Sequence, residues 1–245
     1  MLLNCDIGES FGAWTMGVDE HVMPFIDQAN IACGFHAGDP MTMRKTVRLA
    51  MSHGVALGAH PAYPDLQGFG RRSMAVHPEE ITALVSYQVG ALSHIAGSEG
   101  GTLSYVKPHG ALYNDMMRNE EVLDAILKVL GCSPHPLSLM AMTTADNQNI
   151  RAACLRHGVP LILEAFADRA YDDQGYIVSR TLPGAVHKDP DTILRQACDL
   201  AAGRAITTIT GSQLQLEADT LCVHGDNAES VEAVKAIRQA LGARA

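Results

Sequence analysis

The stretch "ANIACGFHAGDPMTMRKTVRLAMSHGVALGAH", Ala29–His60, holds the reading that decides the fold. It opens with an apolar run, Ala29–Cys33, that reads as a buried strand. Gly34 and Gly38 let the chain turn tightly and a ligand approach the backbone, while His36 is presented where the strand surfaces. Asp39, placed before Pro40, finishes the turn and fits a helix cap. Met43, Val47, Ala50 and Met51 fall at i, i+4, i+7 and i+8, so one face of that helix packs inward, and "SHG" closes it at Gly54. A second apolar run, Val55–Ala59, leads straight to His60. Strand, crossover helix and strand of this length make a parallel unit, and each strand delivers a histidine.

The same alternation extends in both directions. Strand-like runs lie at Leu2–Ile7, Leu103–Lys107, Leu137–Met142, Leu161–Phe166, Ile206–Ile209 and Leu221–His224. Helices separate them: "NEEVLDAILKVLG", "AESVEAVKAIRQALG", and a segment capped by Asp189 with Pro190 in its first turn and Ile193, Leu194, Ala197, Leu200 and Ala201 on its apolar face. Polar residues gather after nearly every strand, whereas an open sheet concentrates its site at one switch point. The expected architecture is therefore an α/β TIM-like (β/α) barrel. No linker-like shift in composition divides residues 1–245, so a single barrel domain is expected. The richest loops are 34–40, 60–72, 108–114 and 167–182, and "AYDDQGYIVSRTL" in the last reads as a hairpin or lid.

With 245 residues, 47% hydrophobic and 18% charged, the chain can bury a sizeable core. A net charge of −9 argues against nucleic acid or an anionic membrane as partner, since both require a basic footprint. No apolar run approaches the roughly 20 residues of a membrane span, and Asp6 and Glu9 stand where a signal peptide carries basic residues. A cytoplasmic protein is the expectation. The six cysteines form no CxxC pair and are read as reduced and buried.

Four of the eleven histidines directly follow apolar strands: His36, His60, His109 in "YVKPHGALYN" and His224 in "LCVHGDN". In a parallel barrel all strand C-termini open on one face, so these imidazoles meet there with Asp6, Glu9, Asp39, Lys107, Asp168 and Asp226. His53 and His157 sit at helix ends, where the C-terminal dipole already explains them. Asp39 and Asp226 also suit helix caps. Asp6 lies within the first strand, where a carboxylate facing a core must be paired or functional. Lys107 interrupts an apolar run, as a snorkelling or a charge-stabilising lysine. "DLQGFGRRS" offers two glycines with Arg71 and Arg72, suited to a carboxylate or phosphate, yet no GxxxxGK[ST] or GxGxxG occurs. Aspartates and histidines at strand ends also serve metal hydrolases, although the tight HxH and HExxH spacings are missing.

Seven blocks, "LNCDIGESFGAW", "ANIACGFHAGDP", "GAHPAYPDLQGFGRR", "VKPHGALYN", "EAFADRAY", "GYIVSR" and "CVHGDN", run in order from Leu3 to Asn227. Together they resemble the LamB/YcsF family, that of the A subunit of bacterial 5-oxoprolinase. The resemblance implies a distorted, seven-stranded barrel of the glycoside hydrolase/deacetylase group. It also implies ATP-dependent opening of 5-oxo-L-proline to L-glutamate, with ATP as co-substrate and two further subunits as partners. The family's polar positions carry over to Asp6, Glu9, His36, His60, Lys107, His109, Asp168, His224 and Asp226, with Arg169 of "FADR" joining Arg71 and Arg72 as binders of substrate carboxylate or phosphate. On this reading Asp6 or His36 is the general base, and Lys107 and His109 face charge developing on the lactam or phosphoryl oxygens. A divalent metal and a homo-oligomer are both compatible with it. The alternatives are a metal-dependent amidohydrolase or polysaccharide deacetylase without ATP, and a non-catalytic lactam-binding subunit.

Overall fold

The computed structural model describes residues 1–224 and 228–242. Its strands and helices follow the order β1 (Leu2–Ile7), α1 (Asp19–Val22), β2 (Gln28–Ala32), α2 (Pro40–Ser52), β3 (Ala56–His60), α3 (Pro78–Ser98), β4 (Leu103–Val106), α4 (Gly110–Met116), α5 (Glu120–Gly131), β5 (Ser138–Met142), α6 (Gln148–Arg156), β6 (Leu161–Phe166), α7 (Pro190–Ala201), β7 (Ile206–Thr207), β8 (Gln213–Leu214), β9 (Thr220–Val223) and α8 (Ala228–Leu241). Seven strands, β1 to β6 and β9, close into a parallel barrel in which β9 pairs with both β6 and β1. The run at Ile206–Ile209, read as a strand like the others, is shorter and stands apart. Its first two residues pair antiparallel with β8 in a small hairpin outside the barrel.

Helix boundaries follow from the caps. Asp39 accepts the backbone N–H groups of Met41 and Thr42 at 2.8 and 3.0 Å, and Pro40 occupies the first turn of α2, where its missing N–H costs nothing. Met43, Val47 and Ala50 are buried against the strands, while Met51 is half-buried. Asp189 caps α7 through the Thr192 N–H at 2.9 Å. Ala197 and Leu200 of that helix are buried, and Ile193 and Leu194 pack at the margin of the core.

The outer faces of the strands pack against these helices, whereas the inside of the barrel is polar. Asn30 donates to Asn4 at 2.8 Å, Asn4 to Thr220 at 3.1 Å, Thr220 to Gln28 at 2.7 Å and Tyr105 to Asn30 at 2.7 Å. These five side chains are 5% exposed or less, and their mutual bonds satisfy groups that would otherwise be costly to bury. They tie β1, β2, β4 and β9 together across the seam where the first and last strands meet. Gly58 of β3 makes room for this arrangement, since a Cβ there would lie 2.1 Å from the Tyr105 ring.

The cysteine expectation needs one correction. All six are free thiols, and Cys5, Cys33, Cys154 and Cys222 are buried, but Cys198 is half-buried and Cys132 is exposed just beyond the end of α5. Among the described residues no helix is long and apolar enough to cross a membrane.

Candidate active site

Each barrel strand ends at the same rim, and the loops there deliver the side chains in question. Asp6 is the penultimate residue of β1 and Glu9 follows it; His60 ends β3, and Lys107 and His109 follow β4. Asp168 follows β6 and His224 follows β9. All seven line one cavity of about 500 Å³ or, for Asp168, contact its wall through His224. His36 reaches the same place from the loop after β2 but is sealed beneath it. Its ring stacks on His109 at 3.8 Å with the planes 5° apart, and its side chain is 0% exposed. Gly34 and Gly38 have φ of +95° and +78°, which fits the expected tight turn. The room at Gly38 is taken by backbone rather than ligand: a Cβ would meet Ala32 O at 3.0 Å and Gly8 O at 3.1 Å.

The three imidazoles His36, His60 and His109 form one group. His60 Nδ1 lies 2.6 Å from the Lys107 carbonyl, and His109 Nε2 lies 2.9 Å from the Phe69 carbonyl. A carbonyl only accepts, so each of these ring nitrogens carries the proton. The other nitrogens, His60 Nε2 and His109 Nδ1, then turn lone pairs toward each other across 2.9 Å. A proton on His60, 3.3 Å from Asp6 Oδ2, or a cation held between them relieves that opposition. Glu9 Oε1 lies 3.7 Å from His36 Nε2 and 4.0 Å from His109 Nδ1, and both nitrogens of His36 are buried without a hydrogen-bond partner. One donor atom from each of Glu9, His36, His60 and His109 falls within 4.8 Å of the others, a set whose chemistry fits a divalent cation. Burial and mutual repulsion push the pKa of His36 and His109 well below the usual imidazole range, so both are neutral at pH 7.

Across the cavity the sign reverses. His224 Nδ1 sits 2.9 Å from Asp168 Oδ2. Burial opposes its charge, yet Asp168 outweighs burial and raises its pKa to about 9. The same pairing overrides burial at Asp168 and keeps that carboxyl below its ordinary range.

Below the cavity Lys107 neither snorkels nor stands free to meet substrate oxygens. Its Nζ lies 3.0 Å from Asp6 Oδ1 and 2.7 Å from Glu164 Oε1, at 3% residue exposure. Burial opposes Asp6 ionisation, but His60 and Lys107 hold its carboxyl well below the usual range, and Asn30 adds a hydrogen bond at 2.8 Å. Glu164, wholly buried, also accepts the Tyr113 hydroxyl at 2.6 Å.

The arginines divide. Arg71 lines the cavity, its guanidinium carbon 5.0 Å from the centre of the Phe69 ring. Arg72 turns away to pair with Asp65 and is not brought to the site. Arg169 is buried, donating to the carbonyls of Val178 at 2.5 Å and Ala185 at 3.3 Å. It thereby holds the expected hairpin, bridged at Tyr171/Ile177 and Arg169/Val186, over the cavity. Asp39 is a cap, as its position suggested, and Asp226 lies outside the described residues. His157 is accounted for at its helix end by Asp124, 2.7 Å away.

Sequence reasoning passed over Glu164, Asn30, Tyr113, Arg118 and Arg180. Glu164 in "LILEAF" and Asn30 in "ANIAC" carried a signal, because a polar residue inside an apolar barrel strand must face a partner. Arg118 and Arg180, on the cavity wall, carried none.

Relatives match this chain over nearly its whole length. The A subunit of 5-oxoprolinase from Pseudomonas fluorescens (strain Pf0-1) is 61% identical over 98% of this chain and 96% of its own length. Its counterpart from Vibrio cholerae serotype O1 is 52% identical over the same shares. The crystal structure of a lactam utilization protein from Thermus thermophilus superposes with a TM-score of 0.90 at 41% identity, covering 98% of this chain and 95% of that one. The profile of the LamB/YcsF family matches residues 1–245 from end to end, and the chain belongs to that family.

Proposed function

We propose that this chain is the ring-opening subunit of an ATP-dependent 5-oxoprolinase, converting 5-oxo-L-proline to L-glutamate with release of ADP and phosphate, together with two further subunits. It works as a single barrel domain in the cytoplasm. The names of its relatives support the substrate and the subunit role. The observation that carries the chemistry is the opposition of two neutral imidazoles and Glu9 on one wall to the His224 imidazolium on the other, around one small cavity.

Amide resonance makes the lactam carbon a poor electrophile, and phosphorylation of its oxygen corrects that. Water then adds to the ring carbon, and the adduct has two ways to collapse. Loss of phosphate regenerates the lactam, so productive collapse must break the ring C–N bond instead. That bond breaks only if the nitrogen receives a proton as it leaves. His224, charged at neutral pH and buried beside Asp168, is placed to give it. Asp6 faces Lys107, and His36 is closed off from the cavity, so neither is the base. Glu9, on the wall beside His36 and His109, takes the proton of the attacking water.

The facing lone pairs of His60 and His109 favour a second reading of the same wall, in which Glu9, His36, His60 and His109 hold a divalent cation. Such an ion would supply Lewis acidity and a more acidic bound water. The remaining roles of His224, Asp168 and Lys107 are unchanged by it.

The test is glutamate release from 5-oxoproline and ATP, first with this chain alone and then with the products of neighbouring genes. Turnover is expected only in the mixture, and Glu9→Gln and His224→Gln should each lower it by about 10²–10⁴-fold. Chelator-sensitive turnover of N-acetyl sugars by the chain alone, without ATP, would replace this reading with a deacetylase.

A further inference from the structure

The rim of the cavity carries more positive charge than the lactam can use. Arg71, Arg118 and Arg180 all line it, in a chain whose net charge is −9. The acids nearby are engaged elsewhere, Asp6 with Lys107 and Asp168 with His224. Arg180 shows what is missing. Its Nη2 lies 3.5 Å from His224 Nε2, while Asp168 sits at the other ring nitrogen. Two cations turning donors toward one another leave a position that an anion fills. Arg118 and Arg71 lie over the rings of Tyr176 and Phe69, with their guanidinium carbons 4.8 and 5.0 Å from the ring centres. A face contact of that kind orients a guanidinium without using its N–H donors.

5-Oxoproline is a monoanion, for which one arginine fork suffices. Three arginines beside an imidazolium match a carboxylate together with a doubly charged phosphoryl group. We propose that Arg118, Arg180 and Arg71 form a phosphoryl subsite at the cavity rim, so that the ligand this chain receives is a lactam already phosphorylated on its ring oxygen. The proposal rests on the lactam-opening reading above.

It fixes the neighbouring reaction by class. A phosphoryl transfer elsewhere must supply the substrate: the lactam oxygen attacks the terminal phosphorus of a nucleoside triphosphate, and the P–O bond to the diphosphate breaks. In this cavity water forms a C–O bond to the ring carbon and loses a proton to Glu9. The C–N bond then breaks with its electron pair on nitrogen, which takes a proton from His224. The resulting acyl phosphate reacts with a second water, releasing inorganic phosphate and the side-chain carboxylate of glutamate.

Calorimetric titration of the full chain tests the subsite with L-2-amino-5-phosphonopentanoate, a stable stand-in for the acyl phosphate. L-2-Aminoadipate, of the same length with a carboxylate in place of the phosphonate, and 5-oxoproline serve as comparisons. The phosphonate should bind at least about tenfold more tightly than aminoadipate, and Arg118→Gln and Arg180→Gln should each remove about tenfold of its affinity. Both arginines are exposed, so the variants fold. Affinity for 5-oxoproline should change by less than about threefold. Equal affinity for phosphonate and aminoadipate overturns the subsite. So does an equal loss of phosphonate and 5-oxoproline binding in the variants, which would assign the arginines to the substrate carboxylate. Glutamate release by the assembled complex is read separately: turnover without a phosphonate preference removes the subsite alone, and phosphonate selectivity without turnover keeps the subsite and removes the lactam reading.

Discussion

Lys107 shows how one buried charge organises a site without touching substrate. A lysine with 3% exposure is tolerable only because Asp6 and Glu164 lie within 3.0 Å of its ammonium, and those carboxylates are tolerable only because of it. Lys107→Met leaves two acids facing each other and should cost about 3–5 kcal/mol in urea unfolding, with Glu164→Leu added to it restoring part of that loss. A cost below about 1 kcal/mol would show that the lysine anchors nothing. His224 makes a prediction of the opposite kind, in pH. Asp168, Asp6 and Arg180 face it, and its folded pKa lies at about 9 against an ordinary 6.5. Its charged form therefore stabilises the fold fully below pH 6.5, and that contribution is lost as pH rises through about 9. As the proton donor it sets the alkaline limb of the rate, which should fall about tenfold per unit above that pH. Asp168→Asn should draw the limb downward; a limb that stays in place assigns it to another group.

Among the elements, the loops after β3 and β4 meet at glycines. Gly70 and Gly110 have φ of +64° and +57°, and the Ala111 N–H donates to Gly70 O at 2.8 Å. A Cβ on Gly70 would stand 2.8 Å from His36 Cβ and 2.9 Å from His109 Cδ2. Gly70→Ala should therefore part the stacked imidazoles and lower turnover by about 10²-fold, since small misplacements are costly at a reacting centre, while circular dichroism stays that of the parent. Unchanged turnover would mean that the stack is incidental. The barrel itself was legible because strand, cap and helix signals repeat with one period, and β1 and β6 have the bounds read from their apolar runs. The histidines were legible because each follows such a run. Residues alternating along the inner faces were less so: Gln28 and Asn30, Tyr105 and Lys107, Thr220 and Cys222 share a two-residue period that apolar content alone hides. Arg118 and Arg180 were not legible, because a hairpin held by the buried Arg169 decides what lies over the cavity. The Ile206 run misled because a short run of isoleucines and threonines can pair locally as readily as in a barrel.

For the whole molecule, the question is whether the site holds the barrel or the barrel holds the site. The closing strands are tied below the rim by Asn4, Gln28, Asn30, Tyr105 and Thr220, all buried and bonded to one another. The apolar layer between strands and helices runs around the entire sheet, from Leu3 and Val47 to Leu221 and Val234. Neither depends on Glu9, His36, His60 or His109, which stand above both. Closure is thus complete without an ion, unlike small domains whose fold is the metal's coordination sphere. Addition of zinc or manganese to chelated protein should raise Tm by several degrees through binding to the native state alone, with about one ion per chain by mass spectrometry. Removal should leave far-UV circular dichroism unchanged at 25 °C, and His36→Ala with Glu9→Gln should abolish the shift in Tm. A chelated chain that unfolds at room temperature would reverse the order of dependence, making the ion part of the core rather than a guest on its rim.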